Sequence, residues 1–298
     1  MTRFATTLSV IAHLWTISAP AARASSTGLL TSRQTTSAQV HLAVTPNCGN
    51  FSGSPADVNQ GLKPLSSYAT IVAFGDSYTS GGTFNGSALA PAVLSPPNPN
   101  AGGRITNGPL WVENLASAAD ATLQDWSVNG SVVDSNLYST IRFEGQPDYL
   151  TQEIFGGPEA LATTVVSDII FGILELNSNP TFAKNFLIVD NYGRGTQSAE
   201  GEAYKEALFS ALYALSKEGL NIGFVDFKTV WDGVLNGSPG YQEFGYSDDG
   251  ACLSSDLTMD GECDAPDTTF YWVPGTPSAA THSIMAEYVE EVLTQCVA

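Results

Sequence analysis

Ile71-Val72-Ala73-Phe74-Gly75-Asp76-Ser77-Tyr78-Thr79 is the stretch on which the fold class turns. The apolar run from Tyr68 to Phe74 reads as a buried strand, and Gly75-Asp76-Ser77 stops it at a polar turn. Downstream, Leu123 to Val128 reads as a second strand ending at Asn129-Gly130, and Phe186-Leu187-Ile188-Val189 forms the centre of another within residues 184–190. Asn221 to Phe227 is strand-like as well. Between these runs, Trp111 to Ala119, Ala162 to Leu176 and Ala203 to Lys217 carry apolar residues at helical spacing, and Ser283 to Gln295 is an amphipathic helix. Strands alternating with helices of this length predict an α/β domain, a parallel sheet covered by helices on both faces. In such sheets the active surface lies at the carboxyl ends of the strands, so the turns at Ser77 and Gly130 are expected side by side.

The chain has 298 residues, with 11 Lys or Arg against 30 Asp or Glu and a formal charge of -19. A phosphate polyanion needs clustered cations, so nucleic acid is excluded as a partner. With 43% hydrophobic and 14% charged residues, the composition is that of a globular domain and not of a disordered chain. Arg3, the apolar run Leu8 to Ile17 and Ala22-Arg23-Ala24 read as an export signal over residues 1–24. That run falls short of the roughly 20 residues that span a bilayer, so no membrane span is expected and the protein is placed outside the cell. Residues 25–47 read as a loose leader and residues 48–298 as the folded domain.

Cys48, Cys252, Cys263 and Cys296 fit an oxidising destination as two disulfides. Four cysteines permit three pairings; the close spacing of Cys252 and Cys263 favours a local staple, which leaves Cys48 for Cys296. Asn50, Asn85, Asn129 and Asn236 stand in Asn-x-Ser sequons. Only His41 and His282 remain after the signal, and neither they nor the scattered carboxylates have metal-ligand spacing, so no metal or other cofactor is expected.

Asp76-Ser77 at the end of a strand places a hydroxyl where backbone N–H groups can surround an oxygen that becomes negative. The same pair also suits a helix cap. Taken with Gly102-Gly103-Arg104-Ile105-Thr106-Asn107-Gly108-Pro109-Leu110-Trp111-Val112 and Trp126-Ser127-Val128-Asn129-Gly130, it resembles the secreted fungal GDSL esterases of the SGNH hydrolase superfamily. The resemblance runs from about Cys48 to the C-terminus and is strongest over residues 67–135. It implies a flavodoxin-like three-layer sandwich and a serine ester hydrolase acting on short acyl or acetyl esters, such as those of plant-wall sugars. It makes Ser77 the nucleophile and the N–H groups of Ser77 and Gly130 the oxyanion hole. It also implies a monomer whose partner is a small-molecule or polysaccharide ester.

The family's C-terminal signature, Trp-Asp-x-x-His-Pro-Thr, corresponds here to Trp272-Val273-Pro274-Gly275-Thr276-Pro277-Ser278. Val273 stands at the acid position and Thr276 at the base position. His282 is the remaining candidate base, with a capping or packing role as its alternative, and Asp267 is the nearest acid, equally readable as a turn residue. The Gly-x-Asn-Asp block is missing between Gly130 and Lys184; Asn177 and Asn179 are the nearby asparagines and follow a helix. Losing the strand that carries this block opens the middle of a sheet with order 2-1-3-4-5. Val165 to Ile170 as a shortened strand, or a mis-spliced or decayed gene product, are the alternatives. Trp111, Trp126, Tyr271 and Trp272 either line a sugar or acyl site or belong to the core. A second functional reading is thus a catalytically impaired relative, or a carbohydrate-binding protein that keeps the pocket without the proton chemistry.

Overall fold

The computed structural model describes residues 39–93, 97–129, 159–190, 192 and 194–298. The chain is a mixed α/β protein. Its elements are β1 (Val58–Gln60), β2 (Thr70–Ala73), α1 (Trp111–Ala119), β3 (Thr122–Asp125), α2 (Glu159–Asn177), β4 (Asn185–Asp190), α3 (Ala199–Lys217), β5 (Asn221–Asp226), α4 (Lys228–Leu235), β6 (Asp248–Ala251), β7 (Thr269–Val273), β8 (Thr276–Pro277) and α5 (Ala279–Gln295). Among the described residues the strands fall into three sheets, β1-β5-β4, β2-β3 and β6-β7-β8. The pairs β2/β3 and β4/β5 are parallel, as expected. A wholly parallel sheet is not what forms, because β1 pairs antiparallel with β5, and β8 folds back antiparallel on β7.

The helix ends follow local chemistry. Glu113 sits at the third position of α1 and its Oε2 accepts from Leu110 N at 2.8 Å, meeting one of the donors a helix start leaves unpaired. Ser198 caps α3 by accepting from Gly201 N. Ser278 caps α5, and Asn107 from a distant loop accepts from Ala279 N at 2.8 Å, so two segments share the capping of one helix. The stretch Val165 to Ile170 lies inside α2 and supplies no strand.

Alternation along the strands shows how the layers are filled. Phe186, Ile188, Ile222 and Phe224 face a cluster with Val165, Ile173, Leu208, Phe209 and Leu212 from α2 and α3. Leu187, Val189 and Val225 face the other cluster, with residues from α1, α4 and α5. The β4/β5 pair is therefore covered on both faces, as a parallel pair between helices requires. Among the described residues, the β2/β3 pair is covered on one. Ile71, Ala73 and Leu123 join the core, while Val72, Phe74, Trp126 and Val128 stay 47%, 57%, 44% and 39% exposed. The two parallel pairs share a core but no hydrogen-bonded ladder, so the place between β2 and β4 holds no strand among the described residues.

Both disulfides, Cys48–Cys296 and Cys252–Cys263, are formed. The first joins the start of the domain to the end of α5, where Asn59 N also donates to Cys296 O at 2.7 Å. Residues 39–47, assigned by sequence to the leader, lie in the folded unit: Val40, Leu42, Ala43 and Val44 pack on the core, and His41 N donates to Phe244 O at 2.9 Å. Their alternation is too short to stand out in a Ser/Thr/Ala-rich stretch. No helix among the described residues is long and apolar enough to cross a membrane.

Candidate active site

Strand β2 ends at Ala73, and the chain turns over Asp76 to Ser80. Asp76 O accepts from Thr79 N and Ser80 N at 3.1 and 2.9 Å, while Asp76 Oδ1 accepts from Tyr78 N at 3.0 Å. Asp76 therefore caps a single tight turn, and half-buried Ser77 stands on it. The parallel pairing continues past the named strands: Trp126 N donates to Ala73 O at 2.9 Å and Val128 N to Gly75 O at 3.0 Å. The fully buried Asp125 carboxylate adds two ties, accepting from Gly81 N at 2.8 Å and Ser127 N at 2.9 Å. The Ser77 turn and the end of β3 are thus held side by side as far as Asn129. Gly130, the second expected oxyanion donor, lies outside the described residues.

Tyr78 joins this turn to the C-terminal block. Its ring is 1% exposed, stacks at 6.0 Å on Trp231, and lies 4.7 Å beneath the guanidinium of Arg194; its hydroxyl donates to Gly275 O at 2.5 Å. Burial raises the Tyr78 pKa well above that of a free phenol, with Arg194 opposing the rise, so the phenol stays protonated and able to donate. Through this bond the β7–β8 turn is tied to the Tyr78 side chain. Thr276 follows Gly275 as the first residue of β8, and Val273 is buried at the end of β7.

His282 is placed differently. It lies in the first turn of α5, its side chain is fully buried, and among the described residues neither ring nitrogen has a hydrogen-bond partner. Burial, and secondarily the Arg104 charge, lower its pKa to about 3. Arg104 is itself fully buried and gives a bidentate fork to Glu113, Nε to Oε2 at 2.5 Å and Nη2 to Oε1, with Nη1 donating to Ala101 O at 3.2 Å. The Tyr78 hydroxyl ties the residue after Ser77 to Gly275 in the β7–β8 turn, whereas His282, under the charge of Arg104, makes no hydrogen bond to Ser77. Asp267 is an exposed residue of a 3-10 turn, Pro266–Thr268. Asn177 closes the end of α2 by donating to Ala183 O at 2.7 Å. His41 is exposed, with Nδ1 on Gln39 O.

Of the four aromatic candidates, Trp111 and Trp272 belong to the core, where their indole N–H groups meet Thr79 Oγ1 and Pro99 O. Tyr271 accepts from Trp231 Nε1, and only Trp126 is exposed. A shallow groove of about 390 Å³ runs between α1 and α5, lined by Asn114, Ser117, Ser283, Glu287 and Glu290, and Ser77 is not part of it. No cluster of His, Cys, Asp and Glu among the described residues has the arrangement of a metal site.

Sequence reasoning missed three contacts around these elements. Arg194 follows β4 by four residues and carries no motif. The Arg104–Glu113 pair had one visible signal, a Glu at the third position of a helix after Pro109-Leu110. Asp190, Lys205 and Asp226 form a buried network at the carboxyl ends of β4 and β5, with Lys205 Nζ at 3.2 Å from Asp190 Oδ2 and 2.8 Å from Asp226 Oδ1; its members are far apart in sequence. No protein-family model matches the chain, and no match is found among curated proteins.

Proposed function

We propose that the chain is a secreted ester hydrolase of the GDSL type, acting on short acyl or acetyl esters through Ser77. The observation that carries this reading is the joint docking of two distant segments on the Ser77 turn: the end of β3 through Val128 N to Gly75 O, and the β7–β8 turn through Tyr78 Oη to Gly275 O. The finer fold in this reading is an SGNH-type three-layer sandwich, in which β3, β2, β4 and β5 take the places of the second, first, fourth and fifth strands and no third is found among the described residues.

In the reaction, Ser77 Oγ attacks the acyl carbon as its proton passes to solvent water, the backbone N–H groups of Ser77 and Gly130 hold the developing oxyanion, and the leaving alkoxide takes a proton back from water. The alcohol then departs and water releases the acid. Thr276 cannot accept a proton at neutral pH. His282, with its pKa near 3 and no bond to Ser77, is too weak a base at neutral pH and is not in contact. Loss of a triad member leaves only about 10³- to 10⁴-fold acceleration over water, supplied by oxyanion stabilisation and binding. Slow turnover is therefore the expected behaviour.

The same two residues favour a second reading, an SGNH-fold protein that binds a carbohydrate or ester without turning it over. Hydrolysis of p-nitrophenyl acetate separates the two. A slow rate that Ser77→Ala abolishes, and that Thr276→His raises by about the 10²-fold or more a general base contributes, supports the esterase. Turnover that ignores Ser77, or none at all, leaves the binding protein.

A further inference from the structure

Asp190 and Asp226 end the parallel pair β4/β5 in register, and their carboxylates reach one ammonium. Lys205, from the first half of α3, is buried; its Nζ lies 2.8 Å from each carboxylate oxygen of Asp226 and 3.2 Å from Asp190 Oδ2. A third carboxylate, the fully buried Asp57, stands just before β1. Its Oδ1 accepts from Asp226 N at 2.8 Å, and its Oδ2 accepts from Asn47 N at 2.9 Å and from the Tyr288 hydroxyl of α5 at 2.6 Å. Among the described residues Asp57 pairs with no cation. The other groups facing the joint do not balance its charge. Tyr192 and Tyr204 beside Asp190, and Tyr288 beside Asp57 and Thr229, are phenols that burial keeps neutral, and Glu202 beside Tyr192 adds an acid. Lys228, at the start of α4, gives Asp226 Oδ1 only its backbone N–H, while its Nζ turns to Asp232 at 2.6 Å. Fully ionised, the three aspartates face the single charge of Lys205, and a buried excess of negative charge is costly unless protons remove it.

We propose that this joint is a proton-operated clasp: protons taken up by Asp57 and Asp190 in mild acid leave a balanced Asp226–Lys205 pair that holds β1, α3 and α5 on the carboxyl ends of β4 and β5, and their release at neutral pH weakens that hold. Burial pushes both carboxyls up from 3.8 to about 6. For Asp57 the hydrogen bonds from Asp226 N, Tyr288 and Asn47 oppose the rise, and for Asp190 the Lys205 charge opposes it; the Asp226 charge adds to it in both. Between these values the folded chain binds protons that the unfolded chain does not. Stability therefore falls as pH rises through this window and levels off above it, the opposite sense to a histidine held neutral by burial. Each group contributes one proton-binding step, and the elements it joins come from both ends of the chain, so the clasp acts on the tertiary packing and not on one helix. The inference does not depend on the esterase reading.

The full chain, isotope-labelled and with disulfides intact, is titrated by carboxyl ¹³C NMR between about pH 7.5 and about pH 4.5, each aspartate assigned through its backbone. The expected result is that Asp57 and Asp190 titrate with midpoints near pH 6. In Asp226→Asn, which removes the like charge and leaves Lys205 to Asp190 alone, the Asp190 midpoint moves down. Urea unfolding of the wild type and of Asp190→Asn reads the clasp itself. Between pH 7 and pH 5 the folding equilibrium constant of the wild type should gain about tenfold on that of the variant, since His282 and Asp57 titrate in both and cancel. Where a variant does not fold, the wild-type titration decides. Midpoints of Asp57 and Asp190 in the ordinary carboxylate range, an Asp190 midpoint indifferent to Asp226→Asn, or a wild-type advantage that does not grow toward acid overturns the proposal.

Discussion

His282 offers the sharpest test of the physical reasoning, because its burial without a partner makes it a proton-linked element of stability. The folded protein holds the imidazole neutral, with its pKa at about 3 against the ordinary 6.5. Between these values the unfolded chain binds a proton that the folded chain does not, so stability rises with pH there. The contribution is complete above about pH 6.5 and is lost as pH falls, at about 1.4 kcal/mol per pH unit while the imidazole stays neutral in the fold. From pH 6.5 to pH 5 the loss is about 2 kcal/mol, and the limiting value well below pH 3 is about 5 kcal/mol. His282→Leu keeps an apolar side chain in the site and removes the titration. Urea unfolding of both proteins, disulfides intact, at a series of pH values from 7.5 to 5 isolates the effect, since carboxylates such as Asp57 and Asp190 titrate in both and cancel in the difference. The stability gap between wild type and variant is expected to shift by about 2 kcal/mol in favour of the variant toward pH 5. A gap that stays flat with pH refutes the claim that His282 is buried, neutral and unpartnered.

Two further outcomes follow from the same region. Glu113→Ala leaves the buried Arg104 guanidinium without its carboxylate and α1 without its capping side chain, and is expected to cost about 3–5 kcal/mol in chemical unfolding. Gly82→Ala forces a side chain onto a φ of +83° with its Cβ 2.6 Å from Gly103 O. The left-handed conformation alone costs about 1–2 kcal/mol, and the clash with fixed backbone adds to it, so the melting temperature should drop clearly below that of Ser87→Ala, which lies in the same loop.

How much of this was legible beforehand can be seen strand by strand. The runs around Val189 and Phe224 stood out because a parallel strand buried on both faces is apolar, those around Ala73 and Asp125 because a short run ends at a Gly-containing polar turn, and the helices at Trp111 and Ala203 because of their helical period. β1, β6 and β8 are short and polar, and what makes them strands is the neighbour they pair with. Ser77 was visible because a Ser after Gly-Asp at a strand end is a local pattern. The contact that docks the β7–β8 turn on it, Tyr78 to Gly275, spans nearly two hundred residues and left no local trace.

The sequence by itself determined the mixed α/β class, the charge that excludes polyanions, the two disulfides, and the absence of an imidazole at position 276, since each depends on residue identity and short-range spacing. Tertiary structure alone decided that His282 is buried without a hydrogen bond to Ser77, that no described strand joins β2 to β4, and that Gly86 abuts Trp126. Direction and neighbourhood of a side chain depend on which elements pack together, and packing is set by the summed burial of residues far apart along the chain.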